Sequence, residues 1–324
     1  MKKAFALLLI LSLLPACLAE GSALSYRFAD ADEAAALLLG NRAYYDNLTQ
    51  NDLNFRMQKL DATLAELEAF AAEQTLDYTD AEKTRIEQSL ALIENNCTER
   101  GYALPPIEDI VFAKTTMADE CDAYSYTHGT QVYLGENLMK YGFDDNPEDQ
   151  ALFDTIIAHE LFHCLTRNHP DFRAAMYGIL GFTVVDSDYE FAPEIRERMI
   201  SNPDVEHHNS YASFDINGTP TNCVVLFTTG KPFVKKGDSF FDNMVTGLVP
   251  IDDMTTMYTS GDAANFWDVF GRNTDYVVDP EETMADNFSF AVIHGLEGKK
   301  YKTPEIIQAI DALLKKGFVT DEAA

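Results

Sequence analysis

Apolar positions along the chain recur at helical spacing over most of its first third. Between residues 51 and 73, Leu53, Met57, Leu60, Leu64 and Leu67 stand three or four apart, which predicts an amphipathic helix. Thr79-Asp80-Ala81-Glu82 has the spacing of a capping box. It predicts a helix start, and Ile86, Leu90 and Ile93 carry that helix to about Asn96, with Gly101 near its end and Pro105-Pro106 closing the segment. The pattern then changes. Residues 107–116, around Ile110, Val111 and Phe112, predict a strand, and Gln131-Val132-Tyr133-Leu134 predicts a second. Asn146-Pro147-Glu148-Asp149 predicts another helix start: an N-cap, a proline at the first helical position, and acids that complement the dipole. That helix should run to about Arg167 and must stop by Pro170. Residues 171–200 read as helical or irregular. Residues 211–228 predict a hairpin turning at Asn217-Gly218, with Cys223 to Phe227 returning. Residues 230–275 are rich in turns. Helices follow from Pro280 to about Ile293 and from Thr303-Pro304 through Leu314.

Length and composition set the scale. The 324 residues, 46% of them hydrophobic, suffice for one large two-lobed domain or two ordinary ones. Lys2 and Lys3, an apolar run over 4–14, and small residues at Ala16-Cys17-Leu18-Ala19 read as an export signal over residues 1–19. Cleavage after Ala19 would release the chain. Cleavage before Cys17 would leave a lipid anchor, since Leu14-Pro15-Ala16-Cys17 resembles a bacterial lipobox that Pro15 fits poorly. No later run reaches the 18 or so apolar residues of a transmembrane helix. Export implies an oxidising compartment, where the even set Cys97, Cys121, Cys164 and Cys223 is expected to pair. Sequence proximity favours Cys97–Cys121 and Cys164–Cys223. The net charge of −29 excludes an electrostatic nucleic-acid binder and disfavours anionic lipid.

The chemistry-bearing pattern is His159-Glu160-Leu161-Phe162-His163 on the third predicted helix. Two histidines four apart share a helix face, so both imidazoles can meet one zinc ion. Glu160 then lies beside the metal, where it can take a proton from water. A catalytic zinc needs a third protein ligand, and two candidates stand in the chain. Glu282, with Asp286 one turn later, lies on the helix starting at Pro280. His169 lies six residues after His163.

These motifs resemble the zinc sites of zincin metallopeptidases. Glu282-Thr283-Met284-Ala285-Asp286 is similar to the second-helix pattern of the thermolysin-like gluzincins, Asn-Glu-x-x-Ser-Asp, and departs from it at Glu281 and Ala285. The resemblance implies Glu282 as third ligand and Asp286 as hydrogen-bond partner of His159. His169 would instead suit the metzincin pattern, but Thr166 stands where that pattern has glycine, and Met257-Tyr258 only loosely matches its methionine turn. The gluzincin reading is preferred. It implies an α+β, zincin-like fold: a helical N-terminal region over 20–105, then a catalytic region over 106–324. The latter holds a small mixed sheet, the motif helix, a partly β insertion over about 187–275, and the second zinc-binding helix. In zincins an edge strand before the motif helix binds extended peptide, and Gln131 to Leu134 occupies that place. The implied activity is zinc-dependent hydrolysis of a peptide or protein substrate, with Glu160 as general base. Tyr276, Tyr258, His128 and His294 are possible donors to the oxyanion, of which Tyr276 is the choice. The rival reading is a non-catalytic zinc-binding module derived from such a fold.

Overall fold

The computed structural model describes residues 24–107 and 109–317. The export signal and the lipid-anchor position Cys17 lie outside the described residues.

A five-stranded mixed sheet organises the first half. It consists of β1 (Tyr26–Phe28), β2 (Thr75–Leu76), β3 (Ile110–Thr115), β4 (Ser125–His128) and β5 (Gln131–Gly135). The order is β1-β3-β5-β4, with β2 also paired to β3. β1, β3 and β5 run parallel, and β4 runs antiparallel to β5, with Tyr126 opposite Tyr133. Every residue of β3 is buried, because helices cover both faces of the sheet. Ile110 and Phe112 face one core, with Ile86, Leu90 and Ile93 of the helix Asp80–Arg100 and Phe153, Ile157 and Leu161 of the motif helix Pro147–Asn168. Val111 and Ala113 face the other, with Leu38, Leu53 and Leu67 from the N-terminal helices. This alternation is the period of two expected of a strand buried on both sides.

Beside its helices, the region over 24–105 holds β1 and β2, in the same sheet as β3 to β5. One expectation is corrected here. The stripe over 51–73 is two helices, Gln50–Met57 and Leu64–Ala72, because Gln58 and Asp61 take positive φ and Thr63 opens a new capping box with Glu66. Leu60 falls in the break and is exposed.

The insertion forms a second five-stranded sheet, in the order β10 (Tyr258–Thr259), β9 (Met244–Pro250), β8 (Thr219–Thr229), β7 (Ser210–Ile216) and β6 (Thr183–Val184). Its β7–β8 hairpin turns at Asn217 and Gly218, both at positive φ, as this tight turn requires. β9 lies in the stretch read as turns. The helices Pro280–Ile293 and Pro304–Lys316 close the fold where the prolines predicted. Among the described residues no helix is long and apolar enough to cross a membrane.

All four described cysteines are free thiols, so neither expected disulfide is formed. Cys97 lies in the main core, whereas Cys121 packs near Phe55 with a different cluster. Nearness in sequence does not bring two Cβ atoms to bridging distance. Burial pushes each thiol up to about 12, so these cysteines are inert packing groups.

One buried ionic network ties the N-terminal helices to the insertion. Arg56, with its side chain 1% exposed, donates to Glu120 Oε2 (3.0 Å), Asp52 Oδ1 (3.0 Å), the Tyr44 hydroxyl (2.6 Å) and the carbonyl of Ser201 (2.7 Å). Asp52 in turn accepts from the Ser201 backbone and hydroxyl (2.8 and 2.9 Å). Removing one partner strands buried charge. We expect Arg56→Met to destabilise the protein by about 3–5 kcal/mol. It should appear as a lower urea midpoint at unchanged slope, and an unchanged midpoint would contradict the burial argument.

Candidate metal centre

The motif helix starts and stops as its sequence dictates. Asn146 Oδ1 accepts from the Glu148 amide (3.1 Å), Pro147 occupies the first position, and the helix ends at Asn168 before Pro170. His159 and His163 therefore project from one face one turn apart, with ring centroids 4.8 Å from each other. The helix Pro280–Ile293 packs against it, joined by Phe288 against Phe162 at 5.3 Å between ring centroids. Asp279 caps this second helix by accepting from the Glu281 amide (2.8 Å), which places Glu281 and Glu282 in its first turn, facing the histidines.

Glu282 Oε2 faces a ring nitrogen of each histidine. Glu282 Oε2 lies 3.1 Å from His159 Nε2 and 3.8 Å from His163 Nε2. Tetrahedral ligands held at about 2.0–2.1 Å from zinc stand roughly 3.4 Å from one another, so this spacing suits a common ion. The hydrogen-bonding pattern points the same way. His159 Nδ1 meets Asp286 Oδ1 at 2.9 Å, and His163 Nδ1 meets Glu281 Oε1 at 2.9 Å. Each Nδ1 thus donates to a carboxylate, which turns each Nε2 lone pair towards Glu282. His163 Nε2 is buried without a hydrogen-bond partner. Lone pairs and a carboxylate facing one another in a buried site call for a cation between them. Burial disfavours charge on His159, yet hydrogen bonds to Asp286 and Glu282 outweigh it and hold the imidazole well above its ordinary range. Glu282 is likewise opposed by burial but pushed down to about 2 by the His159 hydrogen bond and both histidine charges.

Glu160 stands beside this cluster, 2% exposed, and its Oε2 accepts from Thr127 Oγ1 at 2.6 Å. Its carboxylate is also grouped with the two histidines at distances a metal ion spans. Thr127 belongs to β4, so the sheet edge orients the acid.

The structure brings His159, Glu160, His163, Glu282 and Asp286 together and leaves His169 out. His169 Nε2 meets the Pro106 carbonyl (2.7 Å) at the end of the motif helix. Without a glycine at position 166 the helix continues past the point where a third histidine could turn back, and Thr166 instead donates to Glu281 (2.5 Å). Tyr276 reaches the site, but its hydroxyl donates to Glu282 Oε1 (3.4 Å), so it positions that carboxylate and is not assigned to the oxyanion. His128 packs between Tyr44 and Tyr126, and burial, with Arg167 and Arg56 nearby, pushes it down to about 3. The strand expected to be the edge, β5, is interior, and the shorter β4 is the edge.

Several residues escaped the sequence reading. Glu281, counted as a departure from the gluzincin pattern, supports His163 and also accepts from Tyr177 (2.6 Å). Two adjacent acids at a helix start, about 100° apart around the axis, were the available signal: one for the ion and one for a histidine. Asn202, which donates to Glu282 Oε1, and Asp204, whose Oδ1 lies 3.8 Å from His163 Nε2, come from the insertion and carry no local pattern. Comparison of the chain with protein families, curated proteins and solved structures gives no match.

Proposed function

We propose that this chain is a zinc-dependent hydrolase with a gluzincin-like centre, cleaving peptide bonds in a peptide or protein substrate. On this reading it acts after export, released beyond Ala19 or lipid-anchored at Cys17. The observation that carries the reading is the approach of Glu282 Oε2 to His159 Nε2 and to His163 Nε2, with His159, Glu160 and His163 offering one group of possible ligand atoms. When bound there, zinc supplies a Lewis acid for the scissile carbonyl and makes water a better acid. Glu160 accepts the proton of that water and passes it to the leaving amine, and Thr127 fixes the carboxylate for the task. Asp286 and Glu281 hold the two imidazoles in the tautomer that presents Nε2. Thr274 steadies Asp286 from behind, and Tyr276 and Asn202 steady the outer oxygen of Glu282.

A second reading has one observation in its favour. Asp204 groups with His163 and Glu282 as possible ligand atoms, and a zinc site closed by four protein ligands is ordinarily structural. That favours a non-catalytic zinc-binding module. Against it, a structural site has no use for a buried, oriented Glu160. The test is metal analysis of the full chain combined with digestion of a mixed peptide library. We expect stoichiometric zinc, and cleavage that stops with a zinc chelator and returns on adding zinc. A chain that takes up no zinc, or cleavage that continues once zinc is gone, overturns the hydrolase reading. Bound zinc without cleavage, in the wild-type chain and in Asp204→Asn alike, moves the conclusion to the binding module.

A further inference from the structure

Residues 201–206 border the candidate centre, with Asn202 touching Glu282 and Asp204 approaching His163. Ser201 is anchored by Arg56 and Asp52. Asn202 donates to Glu282, and the Asp204 amide donates to Asn202 Oδ1 (3.0 Å). The Pro203 carbonyl accepts from Arg167 Nη2 (3.1 Å), and Glu206 pairs with Arg167 Nε (2.9 Å). The segment is also fastened to the sheet edge. Asp204 Oδ1 accepts the Thr127 amide at 2.6 Å, and Glu206 Oε1 accepts the Gly129 amide at 2.9 Å. The same Asp204 oxygen lies 3.8 Å from His163 Nε2, and with His163 and Glu282 it forms a fully buried set of metal-ligand atoms. A cavity of about 700 Å³, reaching Arg173, Tyr177 and Asp186, borders the segment. Another of about 650 Å³, reaching Tyr44, Thr49 and Met199, borders it as well. Val205 and Glu206 of the segment line both, as do Asp188 and His207.

We propose that residues 201–206 are a built-in inhibitor of the metal centre, with the Asp204 carboxylate taking the metal's open position and the segment occupying the edge of β4. The inference rests on the hydrolase reading. An extended peptide adds to a sheet edge through backbone hydrogen bonds. Here the Thr127 and Gly129 amides, which such a peptide would use, are already taken by two side chains. No backbone ladder joins the segment to β4 among these contacts, so at the sheet edge a substrate must displace two side-chain hydrogen bonds, one of them made by the Asp204 carboxylate itself. The buried Glu160 distinguishes this arrangement from a permanently closed structural site: a base oriented beside the ion serves only a state in which Asp204 has left.

The experiment uses the full chain loaded with cobalt, whose visible bands report ligand exchange, titrated with acetohydroxamate as a probe of the open position. A binding site that is competent in only about 10% of molecules or fewer binds about ten-fold or more too weakly. Asp204→Asn keeps an acceptor for Thr127 and is a poor metal ligand. We expect it to retain cobalt, alter the visible bands and tighten acetohydroxamate by about ten-fold or more, with Glu206→Gln tightening it less. Peptide cleavage should rise in the same order. Wild-type affinity and an unchanged spectrum in a cobalt-loaded, folded Asp204→Asn overturn the inhibitor role while leaving the metal centre intact. If Asp204→Asn does not fold, Glu206→Gln decides: tighter binding supports the role and unchanged binding overturns it. A wild-type chain that takes up no cobalt overturns the metal centre itself, and the inhibitor with it.

Discussion

Glu160→Gln is expected to remove hydrolysis and leave zinc in place. Glu160 is adjacent to His159 in sequence but is turned about 100° around the helix, so on the proposed reading it would border the ion while His159, His163 and Glu282 hold it. Gln has the same size, and its amide oxygen can still accept from Thr127 Oγ1, which now binds the carboxylate at 2.6 Å. What Gln lacks is a site for the proton. General base help of this kind contributes roughly 10²–10⁴-fold, so the loss should reach at least that range. Because residues 201–206 restrain the wild-type chain, the comparison is made in both the wild-type and Asp204→Asn backgrounds, with zinc content measured alongside. Equal cleavage by a zinc-loaded Glu160→Gln chain would falsify the role of this residue as base. Loss of zinc together with cleavage would show instead that Glu160 helps hold the ion.

Glu282→Ala is expected to cost the metal. In the proposed ligand set two histidines share one helix, and Glu282 alone would tie the ion to the second helix. Losing an outer partner of a ligand typically weakens metal binding by about 10–100-fold, and losing the ligand itself should exceed that. The same range is the expectation for Asp286→Ala and Glu281→Ala, which leave His159 and His163 without their Nδ1 acceptors. His169→Ala serves as the control, since its imidazole meets the Pro106 carbonyl away from the site. Metal competition with a chromophoric chelator ranks the four variants. Retained zinc in Glu282→Ala with loss in His169→Ala would reverse the ligand assignment.

The sequence by itself determined the parts of this protein governed by short-range physics. The His159/His163 spacing, the Asn146-Pro147 start and the Pro170 stop fix a helix with two imidazoles on one face whatever surrounds it. Asn217-Gly218 likewise fixes its hairpin, and Asp279-Pro280 the start of the second helix. Glu282 and Asp286 were legible as a pair because one helical turn separates them. Only the tertiary structure decided which strand is the edge, since β4 and β5 are neighbours in a hairpin and pairing with β3 leaves β4 free. It also decided that Cys97, Cys121, Cys164 and Cys223 remain apart, because bridging depends on Cβ positions that chain distance does not set. Thr127, Asn202 and Asp204 belong to the same class. Each is an ordinary polar residue in its own segment, and acquires a role only when the fold brings β4 and the insertion against the motif helix, where burial leaves every donor and acceptor needing a partner.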